Sequence, residues 1–169
     1  MITLQEINHN NYEDALTLKV KPDQEDFVVP VNHCIAEAYV DVMSGKESPI
    51  LLVVCHNNEV VGFAEVGLYD VEEGEFLGEK FGDKKYYDFN RFLIDKDHQG
   101  KGFGRAATLA IIEFIKTLPK GSADCISLCY AATNEIARSL YLSTGFTETG
   151  EIGEEDEALI VYARLALSS

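Results

Sequence analysis

The chain has 169 residues, 46% of them hydrophobic, and its 29 acidic and 14 basic residues give a formal net charge of −15. This length and apolar content predict a single domain over residues 1–169 with its own core, and the negative charge argues against a nucleic-acid partner. Because no stretch approaches the roughly 18 apolar residues of a membrane-spanning helix, we expect a cytoplasmic protein without a membrane partner.

The first fifty residues predict one strand followed by helices. Residues 2–7 alternate apolar and polar side chains, which is typical of a strand with one buried face. A short helix is predicted to end near Leu18, and residues 23–26 and 31–43 form two further helical segments. This later pair could form the wall of a substrate cleft.

A hairpin and a central strand are predicted next. The apolar runs 50–55 and 60–68 flank the polar residues 56–59, a pattern typical of antiparallel strands joined by a tight turn. An acidic loop over residues 70–83, expected at the surface, leads to residues 86–94, whose aromatic and branched side chains are typical of a central strand.

The last part of the chain alternates helices and strands. Residues 103–118 and 134–145 predict helices, and residues 126–130, 146–149 and 159–163 predict strands. No repeat or linker interrupts these elements, so the sequence predicts one mixed α/β domain.

A glycine-rich loop between the central strand and the following helix carries the clearest chemical signal. Gly100, Gly102 and Gly104 lack the β-carbons that would keep an anion away from backbone N–H groups. The loop also opens a helix, whose first N–H groups and positive dipole end favour an anion. Lys101 and Arg105 add positive charge, so the pattern predicts a phosphate-binding loop.

The position of this loop excludes two common phosphate-binding motifs. A Rossmann turn follows the first strand of a parallel βαβ unit, whereas this loop follows a hairpin and lies past the middle of the chain. A Walker loop needs Gly-Lys-Ser/Thr at a fixed distance from its first glycine, and that sequence is missing here. Taken alone, the loop could still be a structural turn without a ligand.

Two motifs together resemble the GNAT superfamily of N-acetyltransferases, and the resemblance covers nearly the whole chain. The first resembles the signature strand and pyrophosphate loop of that family, and the second resembles its later cofactor and catalytic motif. In one-letter code they are RFLID with QxxGxG in residues 91–104, and NxxAxxLYxxxGF in residues 134–146.

The resemblance implies a fold of the α+β type. Its central, mostly antiparallel and twisted sheet has six to seven strands, is flanked by about four helices, and has a splayed V between the two central strands. Acetyl-CoA, the implied cosubstrate, would lie in this V, and the backbone of Phe92, Leu93 and Ile94 would bond the pantetheine arm as an added strand does.

The implied cofactor residues lie in both motifs. Asn134 would bond acetyl-CoA through its amide, although it could equally cap its helix. Tyr141 would protonate the departing thiolate, and a merely packed tyrosine is the alternative. The full set assigned to the cofactor is Phe92, Leu93, Ile94, Gln99, Gly100, Lys101, Gly102, Phe103, Gly104, Arg105, Asn134 and Tyr141.

Acetyl transfer to an amine requires a base, because only the neutral nitrogen attacks the thioester. Asp88 and Asn90 alternate onto one face of the central strand, and Glu65 lies on the adjacent strand. Asp88 or Glu65 is the predicted base, directly or through water. Asn90 cannot take a proton where relatives often carry a glutamate, and structural hydrogen bonding is the alternative for all three.

Residues 24–28, 36–40 and 87–95 resemble bacterial spermine/spermidine acetyltransferases, and an acidic cleft would concentrate a polycation. The predicted acceptor is therefore a polyamine, which attacks directly in a ternary complex. The alternatives are another amine (an amino acid, an aminoglycoside or a protein N-terminus) or a non-catalytic domain that binds acetyl-CoA. The predicted substrate-binding residues are Glu37, Glu65, Asp88 and Asn90.

The cysteines and histidines show no metal-ligand spacing. All four cysteines lie in apolar runs and are predicted to be buried thiols, and no metal site is expected. The late strands of the resembled family often support dimers, so a homodimer is compatible with the sequence.

Overall fold

The computed structural model describes residues 1–46, 48–71, 82, 84–155 and 158–167. Within these residues the chain forms seven strands and four α-helices. The strands are β1 (Ile2–Glu6), β2 (Ile50–His56), β3 (Glu59–Asp70), β4 (Lys85–Ile94), β5 (Cys125–Ala131), β6 (Thr147–Glu155) and β7 (Ala158–Ala166). The helices are α1 (Tyr12–Thr17), α2 (Val31–Met43), α3 (Phe103–Lys116) and α4 (Glu135–Ser143), with 3₁₀ helices at Pro22–Phe27 and Lys96–His98.

The strands belong to one sheet in the order β1-β2-β3-β4-β5-β7-β6. The pairs β1–β2, β2–β3, β5–β7 and β6–β7 are antiparallel, and β4–β5 is parallel. The predicted mixed, mostly antiparallel fold with six to seven strands and about four helices is thereby confirmed. The predicted acidic loop falls mainly on residues 72–81 and 83, which lie outside the described residues.

The chain packs as two compact units. That residues 1–169 form a single domain stays a prediction. The first unit comprises Met1–Gly67 and Asn90–Ala110, and the second comprises Leu68–Phe89 and Ile111–Ser169. The main core of the first unit packs α1 and α2 against β2, β3 and the end of β4. Its buried members are Ala15, Val20, Val31, Cys34, Val53, Cys55, Phe63 and Leu93.

The tight turn between β2 and β3 forms as predicted. Asn57 and Asn58 have φ values of 51° and 67°, and asparagine tolerates this left-handed conformation better than most residues. The register of β2 against β3 shifts between Val54, which pairs with Gly62, and Cys55, which pairs with Val60.

In the second unit, β6 is longer than the predicted strand over residues 146–149. Pairing with β7 extends β6 to Glu155, and a register shift between Glu148 and Ile152 absorbs Gly150, whose φ is +82°. The later part of β6 was not predicted from the sequence, because its glycines and glutamates are typical of loops.

The prediction of four buried cysteines is wrong at one position. Cys34, Cys55 and Cys125 are buried, whereas Cys129 is exposed. The reason is the alternation of side chains along β5, where the neighbouring Leu128 and Tyr130 point into the core.

Candidate active site

The loop between β4 and α3 has a backbone that requires glycine. Gly100 and Gly102 have φ values of +76° and +79°, in the left-handed region that strains other residues. A Cβ added at either position would meet no atom within 4 Å, so the loop is open on this side. Because the first N–H groups of α3 also have no intrahelical acceptor, the loop can accommodate a diphosphate.

Asp95 fixes the segment that enters this loop. Its Oδ1 accepts a hydrogen bond of 3.0 Å from Asp97 N–H, and its Oδ2 accepts one of 2.9 Å from Lys19 N–H. Partial burial would raise the pKa of Asp95, but these two hydrogen bonds and the neighbouring His98 lower it below its ordinary value. The ionised carboxylate therefore holds the loop entrance in place.

The side-chain amide of Gln99 and the ammonium group of Lys101 both donate hydrogen bonds within the protein. Gln99 Nε2 donates to Ile94 O at 3.0 Å and to Gln24 Oε1 at 2.8 Å. Lys101 Nζ donates to Asp97 O at 2.8 Å. These contacts stabilise the loop conformation, and the positive charge of Lys101 stays beside the glycines.

The remaining loop residues lead into α3. The ring of Phe103 lies 4.5 Å from the ring of His56 and 6.3 Å from that of His98, so it packs the loop against the end of β2. Gly104 and Arg105 lie in the first turn of α3, where Arg105 is exposed. At the end of β4, Leu93 and Ile94 are buried.

Glu65 is a buried carboxylate in the first unit. Its residue is only 5% exposed, and Asn90 Nδ2 donates to its Oε1 at 3.0 Å. Burial raises the pKa of Glu65, the hydrogen bond from Asn90 and the charge of Arg91 oppose this rise, and Glu37 and Asp41 add to it. A carboxylate with a raised pKa is better suited to accept a proton near neutral pH.

A polar network extends from Asn90 to α2. Arg91 Nη1 donates to Asn90 Oδ1 at 3.1 Å, and its Nη2 lies 3.9 Å from Glu37 Oε2. His33 Nε2 lies 3.3 Å from Glu37 Oε1. The structure thus links three of the four residues predicted to bind the acceptor, Glu37, Glu65 and Asn90.

Arg91 and His33 were not predicted from the sequence as site residues. His33 could have been found, because it lies four residues before Glu37 on one helix. Arg91 could not have been found, because consecutive residues of a strand point to opposite faces and Arg91 reaches Asn90 only through its long side chain.

Asp88, the other predicted base, belongs to the second unit, is half-buried, and pairs with Ser127 in the β4–β5 ladder.

Tyr141 lies within an aromatic cluster of the second unit. Its residue is 8% exposed, and its ring centroid lies 5.9 Å from those of Phe89, Tyr130 and Phe146. Burial raises the pKa of the Tyr141 phenol, and Cys129 and Tyr130 add to the rise. The phenol therefore stays protonated at neutral pH and can donate a hydrogen bond.

Asn134 caps α4. Its Oδ1 accepts a hydrogen bond of 3.1 Å from Ala137 N–H. Because Asn134 Oδ1 accepts this hydrogen bond from the helix backbone, the amide nitrogen is the side-chain group suited to contact a cofactor carbonyl.

Within the described ranges, no group of three or more His, Cys, Asp and Glu side chains is arranged to hold a metal ion. None of the helices in that part of the chain has the length and apolar character to span a membrane.

Residues 11–146 match the model of the acetyltransferase (GNAT) family. The match spans most of the 169 residues, so the chain belongs to this family and is an N-acetyltransferase. The family and enzyme class predicted from the two motifs are thus confirmed.

Two curated relatives resemble this chain over 95% of its length. One is a probable spermine N(1)-acetyltransferase of Bacillus subtilis subsp. natto, 28% identical over 165 residues that cover 97% of that protein. The other is a spermine/spermidine N(1)-acetyltransferase of Bacillus subtilis strain 168, 27% identical with the same coverage of 97%.

Solved structures share the fold at lower identity. The spermidine N-acetyltransferase from Vibrio cholerae, solved with CoA and spermine, has a TM-score of 0.70 and 18% identity over 98% of this chain and 95% of that one. The ribosomal-protein-S18-alanine N-acetyltransferase from Escherichia coli has a TM-score of 0.69 and 17% identity over 100% and 96% of the two chains. Enzymes with different acceptors thus share this fold.

Proposed function

We propose that this N-acetyltransferase moves the acetyl group of acetyl-CoA to a primary amine of a polyamine such as spermidine or spermine, by direct attack in a ternary complex. The observation that carries the proposal is the buried Glu65 carboxylate, bonded to Asn90 and accompanied by Glu37. This group of residues offers a base for an ammonium group and a negative potential that attracts a polycation. The names of the two curated relatives support the same acceptor.

We propose that the glycine loop holds the diphosphate of acetyl-CoA, because a Cβ added at Gly100 or Gly102 would meet no atom within 4 Å and both residues have a positive φ. Lys101 and Arg105 would add attraction for the phosphates. When bound, acetyl-CoA supplies an activated thioester. The backbone of residues 92–94 and the Asn134 amide nitrogen are the proposed partners of the rest of the cofactor.

Glu65 and Tyr141 are assigned complementary proton roles. Glu65 removes a proton from the acceptor ammonium, directly or through water, and its raised pKa suits this task. Tyr141 remains protonated and donates to the departing thiolate. Asp88 is the alternative base, and we favour Glu65 because the structure joins it to Asn90 and Glu37 through a continuous network.

An acceptor screen tests the proposal. Thiol release from acetyl-CoA is followed with spermidine, spermine, lysine, an aminoglycoside and a peptide with an N-terminal alanine. We expect the highest kcat/KM with a polyamine. A higher value with the aminoglycoside or the peptide would contradict the acceptor assignment, and no release with any amine while acetyl-CoA binds would contradict the transfer reaction.

The cytoplasmic location, the homodimer and the single domain over residues 1–169 stay predictions. Cell fractionation tests the first, light scattering of the full chain tests the second, and a single cooperative unfolding transition is expected for the third.

A further inference from the structure

Asn90 lies between two groups that can each bond to only one end of its amide. A guanidinium only donates hydrogen bonds, and an ionised carboxylate only accepts them. Arg91 Nη1 lies 3.1 Å from Asn90 Oδ1, and Asn90 Nδ2 lies 3.0 Å from Glu65 Oε1. If the amide were flipped, donor would face donor and acceptor would face acceptor, so Arg91 fixes the orientation that favours ionised Glu65.

Arg91 is itself held from the other side. Its Nη2 lies 3.9 Å from Glu37 Oε2, and its side chain is 32% exposed. Glu37 also contacts His33 on the same helix. The guanidinium therefore connects α2 to β4 and is restrained where it meets Asn90.

We propose that Arg91 is a positioning residue that acts through the Asn90 amide to hold Glu65 ionised and oriented for the acceptor. This inference rests on the proposed function. In the step concerned, an N–H bond of the acceptor ammonium breaks, an O–H bond forms at the Glu65 carboxylate, and the neutral amine keeps the electron pair with which it attacks. Asn90, which cannot take a proton itself, orients the residue that does.

The charges around Glu65 support this role. Glu37 and Asp41 face it from α2 and disfavour its ionised form, and Cys34 lies on the same helix. Arg91 faces it from β4 and favours the ionised form. Removal of the Arg91 charge therefore leaves the repulsion from Glu37 and Asp41 without this opposing attraction.

The test compares Arg91→Met with Lys116→Met. Methionine keeps much of the side-chain length but cannot donate a hydrogen bond or carry charge. Lys116 is the matched control because it is an exposed cation whose Nζ lies 2.7 Å from Glu113 Oε1. Arg91→Lys keeps the charge and loses the planar fork, so it should restore part of the effect.

The first readout is the pKa of Glu65 in the free full-length chain, measured by NMR of ¹³C-labelled glutamate and assigned with Glu65→Gln. We expect Arg91→Met to raise this pKa and Lys116→Met to leave it unchanged. The second readout is the pH profile of kcat/KM, whose acidic limb should move upward together with the Glu65 pKa while kcat falls about tenfold.

An unchanged Glu65 pKa in Arg91→Met would overturn the inference, whatever the activity shows. A raised pKa with an unmoved acidic limb would overturn the role of Arg91 in catalysis and leave the transfer reaction intact. If the wild-type chain transferred acetyl groups to no amine, the proposed function would fail, and the NMR comparison would still decide whether Arg91 controls the ionisation of Glu65.

Discussion

Gly62 on β3 faces the backbone of Leu93 on β4 so closely that a Cβ at Gly62 would lie 2.6 Å from the Leu93 carbonyl oxygen. Two residues further along, Asp95 N–H donates to Val61 O at 2.9 Å. This close approach holds the end of β4, from which the glycine loop emerges. A contact between two strands therefore positions the proposed cofactor loop.

Replacement of Gly62 by alanine should disturb both the fold and the loop. The added methyl group must push β3 from β4, which we expect to lower the free energy of unfolding by about 1–3 kcal/mol and to weaken acetyl-CoA binding. Gly45→Ala is the control, because a Cβ added at Gly45 would meet no atom within 4 Å. Since Gly45 has a φ of +76°, only backbone strain acts in that variant. Urea unfolding and calorimetric titration measure the two effects, and unchanged acetyl-CoA affinity in Gly62→Ala would refute the link between this contact and the loop.

Gly102→Val should remove acetyl-CoA binding. The side chain would project into the space proposed for the diphosphate, and the left-handed φ of +79° would be strained. Gly150→Val is closely matched, since Gly150 has φ +82° and also has no atom within 4 Å of an added Cβ. We expect isothermal titration to show at least a roughly tenfold loss for Gly102→Val alone. Equal losses in the two variants would count against the loop assignment.

Tyr141→Phe should separate chemistry from packing. The ring keeps its contacts with Phe89, Tyr130 and Phe146, while the proposed proton donor is lost. We expect kcat to fall by about 10² or more with little change in KM or melting temperature. The control is Tyr130→Phe, which loses a hydrogen bond of 2.8 Å to Glu148 Oε1 and should lose stability rather than kcat. An unchanged kcat in Tyr141→Phe would make Tyr141 a packing residue.

Glu65 should make the stability of the protein depend on pH in a defined direction. Burial raises its pKa in the folded state, so its contribution to stability is fully present below the unfolded pKa and is lost as the pH rises through the folded pKa. Glu65→Gln should therefore gain stability relative to wild type between about pH 4 and pH 7. Urea unfolding at both pH values measures the gain, and a relative loss over that interval would contradict a buried, ionised Glu65.

Particular residues show how far the sequence could predict this molecule. The loop at Gly100 and Gly102 was predictable because left-handed backbone conformations select glycine, and the helix after it was predictable from its apolar period. The arrangement of the polar network of Glu37, Glu65, Asn90 and Arg91 was not predictable. It depends on the long side chain of Arg91 and on the contact of α2 with β4, neither of which follows from local patterns.

The choice between Glu65 and Asp88 as base provides the most direct test of the proposed mechanism. The measurement is kcat/KM for spermidine in Glu65→Gln and Asp88→Asn, each compared with wild type at saturating acetyl-CoA. We expect kcat/KM to fall by a factor of about 10² or more in Glu65→Gln and by a smaller factor in Asp88→Asn. A wild-type kcat/KM in Glu65→Gln would contradict the assignment of Glu65 as the base.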